Sequence, residues 1–370
     1  MYLRQIKLAN FKNYSLADFK FSGKINCFIG DNGAGKTNVL DAIHYLSFCK
    51  SYFNPIDSQN IKHDTAYFSI HGTYEKNGSS ADTVSCILKR NQKKQFSLNE
   101  KEYDRLSDHI GLFPLVMISP YDRDLINEGS ETRRRYIDSV ISQFDKVYLD
   151  DLINYNKVLL QRNILLKRFA DKNYYDRSSI EIWDDQMARL GERIHAARKA
   201  FIEDFTPLFR QYFNFIASSR EEVSISYDSQ LNERPLSELL AVSIDRDRAV
   251  RYSTSGTHKD DLEFAIDGFP VKKYGSQGQQ KSYVVAIKLA QFEYTRDIKG
   301  FKPILLLDDI FDKLDSGRVK QIIELVNENN FGQVFITDTQ KERIEQIFLE
   351  VNTDHKIFRI DNGDVIEMDE

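Results

Sequence analysis

The sequence predicts an α/β fold in two lobes: the first is built on a mixed sheet, and the second is mainly helical. Three observations support this prediction. A short apolar strand at 25–29 runs directly into a glycine-rich loop and a helix-like pattern. In the middle of the chain the apolar period changes from two to 3.6, and strands alternate with helices again near the C-terminus. The 370 residues suffice for two compact domains.

The composition argues against several classes of protein. No apolar run reaches the roughly 18 to 20 residues that span a bilayer, and no signal-peptide core follows Met1, so we expect a cytoplasmic protein without a membrane partner. The three cysteines, Cys27, Cys49 and Cys86, are far apart and form no C-x-x-C pair, which favours core positions over disulfides or a zinc site. The formal net charge of -5 means that any contact with nucleic acid must use a local basic patch.

The glycine-rich loop reads GDNGAGKT and matches the phosphate-binding (Walker A) pattern G-x-x-x-x-G-K-[ST]. Small residues let successive backbone N–H groups turn towards a polyphosphate, and the N-terminus of the following helix adds positive potential. Lys36 is expected to neutralise the β- and γ-phosphates as a catalytic residue, and Thr37 to ligate Mg²⁺. The predicted nucleotide contacts in this segment are Gly30, Asp31, Asn32, Gly33, Ala34, Gly35, Lys36, Thr37 and Asn38.

The elements after this loop are predicted from apolar spacing and turn residues. Four β-like runs predict a strand-rich subdomain: 66–75, 83–89, 95–98 and 114–118. From about Arg133 the spacing predicts helices, and 180–217 is expected as one long helix bent near Pro207. This stretch lacks sustained heptads, so no long coiled coil is expected. The boundaries follow: 1–122 holds the Walker A part of the first lobe, 123–249 is the helical lobe, and 250–370 completes the first lobe.

The C-terminal third returns to β structure. Strand signals occur at 223–227 and in a hairpin at 262–274, with Asp267-Gly268 as its turn. A β/α alternation then closes the chain: a strand at 304–307, a helix from Ser316, a strand at 333–337, a helix from Gln340 and a strand at 356–360.

The segment PILLLDD, residues 303–309, predicts a buried parallel strand that ends in two carboxylates. Alone this pattern is common in α/β proteins, but beside a phosphate-binding loop it predicts the second half of a nucleotide site. Asp308 is expected to hold Mg²⁺, usually through a water, and Asp309 to orient or activate the attacking water as the second catalytic residue. The chain has no N-K-x-D string, which argues against a small GTPase.

The segment GSQGQQKS, residues 275–282, resembles the signature motif of ABC-type ATPases. The alternative is that Gly275-Ser276 only caps a helix, because serine is a favoured N-cap residue. The order of phosphate loop, signature, acidic strand and Leu314-Asp315 favours the signature. The resemblance implies that Ser276, Gln277, Gly278 and Gln279 contact ATP held by a second copy of the chain.

Further segments narrow the resemblance. The opening YLRQIKLANFKNYSLADFKF is similar to ABC-type ATPases that act on chromosomes, and NFKNY, GSETRRRYID and THKDDL resemble the RecF family among them. The resemblance implies an ABC-type ATPase lobe with an antiparallel β subdomain, a weak ATPase that uses ATP and Mg²⁺, and an ATP-dependent homodimer. It also implies binding to single-stranded, gapped or duplex DNA in repair, replication and the damage response, with RecR and RecO as partners. Lys12 is expected near the nucleotide.

Three positions depart from the family pattern. Phe53 stands where an arginine is expected, and Tyr121 replaces the usual acidic residue after Ser119-Pro120. The strand at 333–336 leads into Thr337-Asp338-Thr339 without the switch histidine of transporter-type ATPases, so no γ-phosphate sensor is assigned there.

The candidate DNA contacts each have an ordinary alternative. Arg133, Arg134 and Arg135 either grip DNA or a neighbouring subunit, or form a solvated helix face; the stretches 83–105 and 155–173 are either DNA-facing patches or ordinary basic surface. Two other functions stay open as alternatives. A transporter-type subunit is disfavoured by the NFKNY opening. A nucleotide-gated protein scaffold without hydrolysis is disfavoured by the intact acidic pair.

Overall fold

The structure is a computed structural model that describes residues 1–76, 80–217, 221–310, 321, 331–340 and 354–368. The chain forms two compact units. The first comprises Met1–Asp122, Phe215–Ser218 and Lys281–Glu370, and the second comprises Arg123–Asn214 and Ser219–Gln280. The predicted Leu314-Asp315 motif and most of the two helices predicted from Ser316 and Gln340 lie outside the described residues.

The described residues form fifteen strands and eight α-helices. The strands are β1 (Tyr2–Phe11), β2 (Tyr14–Lys20), β3 (Ile25–Ile29), β4 (Tyr67–Glu75), β5 (Asp82–Lys89), β6 (Gln95–Leu98), β7 (Lys101–Glu102), β8 (Leu115–Ile118), β9 (Val223–Asp228), β10 (Asp261–Ile266), β11 (Phe269–Pro270), β12 (Ile304–Asp308), β13 (Val334–Asp338), β14 (His355–Asp361) and β15 (Asp364–Met368). The α-helices are α1 (Lys36–Phe48), α2 (Asp124–Asn127), α3 (Ser130–Ser142), α4 (Lys146–Lys172), α5 (Arg177–Ala217), α6 (Leu236–Val250), α7 (Val271–Tyr274) and α8 (Gln277–Lys299).

A six-stranded sheet carries the nucleotide-binding motifs of the first unit. Its order is β15-β14-β3-β13-β12-β8, with β14, β3, β13, β12 and β8 parallel and β15 antiparallel at the edge. Every residue of β3, β12 and β13 is buried, which explains their nearly continuous apolar sequences. The predicted α/β class with a mixed sheet is confirmed.

A second, antiparallel sheet of the first unit has the order β2-β1-β4-β5-β6-β7. Its core-facing aromatic residues, α1 and the parallel sheet share one hydrophobic core. Gln333 links the two sheets, because its side chain accepts a hydrogen bond from the Leu3 N–H at 2.7 Å and donates to the Leu3 and Ser22 carbonyls, both at 2.8 Å. Cys27, Cys49 and Cys86 are buried, as predicted. Burial raises the pKa of the Cys49 thiol to about 12.

The second unit is mainly helical and contains one small sheet, β11-β10-β9, among its described residues. The expected long helix is present as α5, which has 41 residues, includes Pro207, and extends about 60 Å. The bend near Pro207 stays a prediction. None of the helices in the described part of the chain is long and apolar enough to cross a membrane.

The hairpin of β10 and β11 turns at Asp267 and Gly268, as expected, and both residues have positive φ. The predicted strand through Tyr274 differs from the structure, because the chain enters α7 directly after Pro270, whose fixed φ suits the start of a helix. Residues 250–280, which were expected to help complete the first lobe, lie in the second unit. The cause is that β10 pairs along its whole length with β9.

Candidate nucleotide-binding site

The loop after β3 has a backbone that glycine makes possible. Gly30, Gly33 and Gly35 have φ values of 152°, 84° and 121°, which side-chain-bearing residues rarely adopt. A Cβ atom on Gly30 would lie 2.3 Å from the Ile360 carbonyl oxygen, and one on Gly35 would lie 2.4 Å from the Asn13 amide nitrogen. The glycine spacing in the sequence therefore reflects both backbone conformation and close neighbours.

Asn13, from the NFKNY segment, fixes the outer side of this loop. Its Nδ2 donates to the Ala34 carbonyl at 2.8 Å, and its Oδ1 accepts from Nδ2 of Asn38 at 2.7 Å. The hydroxyl of Tyr14 donates to the Gly35 carbonyl at 3.1 Å. These bonds pair the carbonyls of Ala34 and Gly35 with side chains of the first unit and fix the shape of the loop. In the sequence analysis, the NFKNY segment served only as a motif that resembles the family. No role was predicted for Asn13.

Lys36 lies folded back across the loop. Its Nζ donates to the carbonyl oxygens of Gly30 at 2.7 Å and Asp31 at 2.9 Å, and the residue is 7% exposed. Burial lowers the pKa of the Lys36 ammonium, while the carboxylates of Asp309 and Asp308 oppose that shift. The ammonium is thus already placed beside the loop that is predicted to hold the phosphates.

A chain of hydrogen bonds joins the phosphate loop to the acidic strand. Thr37 Oγ1 and Thr337 Oγ1 both donate to Asp308 Oδ1 at 2.9 Å, and the Asp309 N–H donates to Thr337 Oγ1 at 2.9 Å. Burial raises the pKa of the Asp308 carboxyl, and the two hydroxyl donors partly oppose that rise. Asp309 has φ 48°, a left-handed conformation that aspartate tolerates better than most residues.

The sheet order explains why Thr337 is part of this chain. Strand β13 lies between β3, which leads into the loop, and β12, which ends at Asp308. Asp308 is in register with Thr337, and Thr337 with Phe28. The carboxyl ends of parallel strands meet at one edge of a sheet, so Thr337 lies between the phosphate loop and the acidic strand. Its hydroxyl bonds to Asp308 of the acidic strand. Strand order is not evident from the sequence, so Thr337 was considered only as the place of a missing histidine.

A cavity of about 160 Å³ lies at this edge of the sheet. It brings together seven of the predicted site residues and adds Thr337; its lining is Asn32, Gly33, Gly35, Lys36, Thr37, Asn38, Asp309 and Thr337. The hydroxyl of Thr37 and the carboxylate of Asp308 are hard oxygen ligands of the kind that Mg²⁺ prefers. The described residues contain no group of three or more His, Cys, Asp or Glu suited to a metal.

Lys12 is not among the residues that line the cavity. Its Nζ lies 2.6 Å from Oδ2 of Asp41, and Asp41 also accepts hydrogen bonds from the Ser51 hydroxyl and the Tyr52 N–H, both at 2.7 Å. Contact between Lys12 and a nucleotide stays a prediction.

Two departures from the family pattern contact each other. The rings of Phe53 and Tyr121 pack edge to face with centroids 5.5 Å apart. An aromatic pair therefore stands where the resemblance implied an arginine and an acidic residue, and Lys12 lies 5.2 Å over the ring of Phe53.

The signature segment forms a capping box at the start of α8. The Gln279 N–H donates to Ser276 Oγ at 3.2 Å, and the Ser276 N–H donates to Gln279 Oε1 at 2.7 Å. Among the described residues, the N–H groups of Gln277 and Gly278 have no such partner. Ser276 does cap a helix, as the alternative proposed, but the cap leaves two N–H donors available at a helix N-terminus.

Several residues that were predicted to contact DNA instead bind other residues of the chain. Arg133 binds Asp261 through two hydrogen bonds of 2.6 and 2.8 Å, and Arg134 donates to the Asp260 carbonyl at 2.5 Å. Both residues therefore bind within the second unit, whereas Arg135 is exposed. Arg162, from the stretch 155–173, is fully buried and ion-paired with Asp184 and Asp247.

In the stretch 83–105, one predicted basic surface residue, Lys94, instead bonds to groups within the first unit. Lys94 Nζ binds Oδ2 of Asp57 and the Cys49 carbonyl, both at 2.6 Å. Lys89 and Lys101 of the same stretch are exposed. The predicted basic patch is therefore smaller in the structure than in the sequence.

Comparison with known proteins defines the class. The model of the RecF/RecN/SMC N-terminal domain matches residues 2–363. The Smc head domain of Pyrococcus furiosus has the same fold, with a TM-score of 0.57 at 16% identity over 99% of this chain and 96% of the Smc chain. The family match and the fold together define a head domain of the SMC ATPase type.

More similar relatives narrow this class. The DNA replication and repair protein RecF of Bacteroides thetaiotaomicron is 50% identical over 368 residues, which cover 100% of this chain and 99% of the relative. That of Flavobacterium johnsoniae is 53% identical over 360 residues, 97% of this chain and 100% of the relative. The solved structure of the recombination mediator protein RecF-ATP in the RecFOR pathway has a TM-score of 0.90 at 30% identity, covering 100% and 98% of the two chains. The chain belongs to the RecF family.

Asp308→Asn is expected to stabilise the nucleotide-free protein by about 0.5–2 kcal/mol at neutral pH. Burial raises the pKa of Asp308 in the folded state, so the wild type loses stability as pH rises from the usual carboxyl range through that raised pKa. The gain of the variant is therefore largest at neutral pH and disappears in acid. Urea unfolding at several pH values measures it, with Asp64→Asn, at an exposed position, as the control. An unchanged or lower stability at neutral pH would contradict the assigned cost of the buried charge.

Proposed function

We propose that this protein is an ATP-dependent DNA-binding protein of recombinational repair and replication. Two copies close face to face around two ATP molecules, DNA binds the closed dimer, and slow hydrolysis releases it. The observation that carries the proposal is the hydrogen-bonded chain Thr37, Asp308, Thr337 and Asp309, which borders a cavity shared with the phosphate loop.

The residues of one copy have separate tasks in this cycle. The N–H groups of the loop and the start of α1 bind the phosphates, and Lys36 exchanges the Gly30 and Asp31 carbonyls for the β- and γ-phosphates. Thr37 and Asp308 would hold Mg²⁺, which supplies charge neutralisation on the phosphate oxygens. Asp309 orients the attacking water and accepts its proton, while Thr337 fixes the backbone of Asp309.

The signature segment is proposed to complete the site of a second copy. Ser276 and Gln279 shape the helix start. The N–H groups of Gln277 and Gly278, which have no partner among the described residues, then bind the γ-phosphate held by the second copy. This arrangement makes ATP part of the dimer interface, so dimerisation and hydrolysis depend on each other.

The names of the relatives support the biological setting. RecF proteins of DNA replication and repair align with this chain over its whole length, and a RecF structure is described within the RecFOR pathway. We therefore propose RecR and RecO as partners, and roles in recombination and the DNA-damage response. The cytoplasmic location stays a prediction from the sequence.

A nucleotide-gated protein scaffold is the second candidate. It is favoured by the net charge of -5 and by the internal ion pairs of Arg133 and Arg162, which remove two predicted DNA contacts. A scaffold would bind its protein partners in the ATP state without DNA affinity of its own.

The salt dependence of DNA binding separates the two candidates. With ATP, the logarithm of the binding constant for duplex or gapped DNA is expected to fall with log salt by roughly 0.9 per phosphate contact, because each contact releases counterions. Anisotropy titrations of labelled DNA from low to physiological salt measure the slope, with ADP as the nucleotide control. No binding with ATP at low salt, or a flat response, would favour the scaffold.

A further inference from the structure

A second cavity, of about 480 Å³, lies between α4 and α5 in the helical unit. We call it the α4–α5 groove. Its lining residues recur at three- and four-residue spacing on each helix, so that they form two facing stripes. The residues used below are Lys157 and Gln161 from α4, and Trp183, Gln186, Arg189 and Arg193 from α5. This volume is within the range of about 300–1,000 Å³ that holds small organic ligands.

The groove is positively charged although the chain as a whole is acidic. Among the described residues, no carboxylate lines it. Arg193 is neutralised by Asp151 through two hydrogen bonds of 2.7 and 2.5 Å. Lys157 and Arg189 are exposed and make no ion pair with any described residue; the guanidinium of Arg189 donates only to the Asp185 carbonyl, at 3.3 Å. Two uncompensated cations therefore face the cavity edge, which favours an anionic ligand.

The remaining lining side chains favour a nucleobase as the other part of that ligand. Trp183 is half-buried, and its large ring offers a stacking surface without sequence preference. The amides of Gln161 and Gln186 carry both donors and acceptors, which match the edges of a base. A base within a duplex is covered on both faces by its neighbours, so only an unpaired base is able to stack on Trp183.

We propose that the α4–α5 groove binds single-stranded DNA, with an unpaired base against Trp183 and the neighbouring phosphates against Lys157 and Arg189. This inference rests on the proposed DNA-binding function and assigns it a site that recognises the unpaired part of a substrate. It also explains how a protein whose triple arginine is mainly internal retains a cationic contact for DNA.

Trp183 is the single tryptophan of the chain, which gives the test a direct signal. Titration of the ATP-bound full-length protein with an oligo-dT strand is expected to quench tryptophan fluorescence. The quenching should saturate at the same concentration as the anisotropy of the labelled strand. Duplex DNA of equal length is expected to bind without comparable quenching, since its bases are not available.

Three variants test whether the α4–α5 groove is the place where single-stranded DNA binds. Trp183→Ala is expected to weaken oligo-dT binding roughly 5- to 100-fold. The double variant Lys157→Glu and Arg189→Glu is expected to reduce the salt slope by about 1.4, because a single strand loses about 0.7 per phosphate contact. Lys199→Glu, on an exposed part of α5 outside the groove, is the matched control and is expected to change the slope little.

The outcomes distinguish this inference from the proposed function. Unchanged fluorescence, or unchanged affinity in the charge-reversed variant, while DNA still binds in the presence of ATP would overturn the groove and leave the function intact. If the wild-type protein binds no DNA in the presence of ATP, both the groove and the proposed DNA-binding function are wrong. Equal quenching by a poly-glutamate peptide at the same charge would also overturn the groove as a nucleotide site, because that peptide carries no bases.

Discussion

Asp309→Asn is expected to lower ATP turnover by roughly 10²–10⁴-fold while ATP binding is retained. The amide keeps the size and hydrogen-bonding geometry of the side chain but no longer accepts a proton from the attacking water. The backbone is not disturbed, since asparagine tolerates the left-handed conformation as well as aspartate does. Because hydrolysis is proposed to open the dimer, the variant should accumulate as ATP-bound dimers. Phosphate release and size-exclusion chromatography measure the two effects.

Asp64→Asn is the matched control for this change. Asp64 also has a left-handed backbone, with φ 61°, but it is exposed and does not line the cavity. It isolates the effect of replacing a carboxylate in this conformation by an amide, and we expect wild-type turnover. If Asp309→Asn hydrolyses ATP at the wild-type rate, Asp309 is not the residue that activates water.

Ser276→Arg is expected to abolish ATP-induced dimerisation while each copy still binds ATP. The side chain lies at the helix start that is proposed to meet the γ-phosphate of the partner, and arginine adds bulk where close approach is needed. The substitution also removes the N-cap, which costs about 0.5–2 kcal/mol at the start of α8. Sedimentation with and without ATP measures dimerisation, and a fluorescent nucleotide measures binding.

Two further variants separate the cap from the interface. Ser276→Asn retains a good N-cap without charge and is expected to dimerise. Ser276→Asp also caps the helix, but its negative charge repels the partner's phosphate, so we expect monomers. Should both Ser276→Arg and Ser276→Asp dimerise with ATP like the wild type, the signature assignment is wrong.

Local patterns in the sequence predicted individual strands, helices and loops, but they did not predict which of these lie next to one another in the fold. The loop Gly30–Thr37, its strand and helix, and the acidic strand were predictable because each depends on residues close in sequence. Thr337 was not predictable as a site residue, since its role depends on β13 lying between β3 and β12. Asn13 was missed for the same reason, because its contacts with Ala34 and Asn38 arise from the fold.

Charge counts along the chain were a poorer guide than motifs. Arg162 and Arg133 contributed to predicted basic surfaces, yet carboxylates from distant segments neutralise both. A sequence shows charges without their partners, and a buried arginine is stable only when such partners are present. The α4–α5 groove escaped notice because its two stripes come from separate helices.

In the proposed ATP site, the resting position of Lys36 is expected to favour a phosphate chain long enough to reach its ammonium. Its ammonium already donates to two carbonyl oxygens, at 2.7 and 2.9 Å, and a bound phosphate must replace these acceptors. A nucleoside monophosphate whose single phosphate stops short of the lysine offers no replacement and gains nothing from its charge. We therefore expect AMP to compete poorly with ATP for the proposed site.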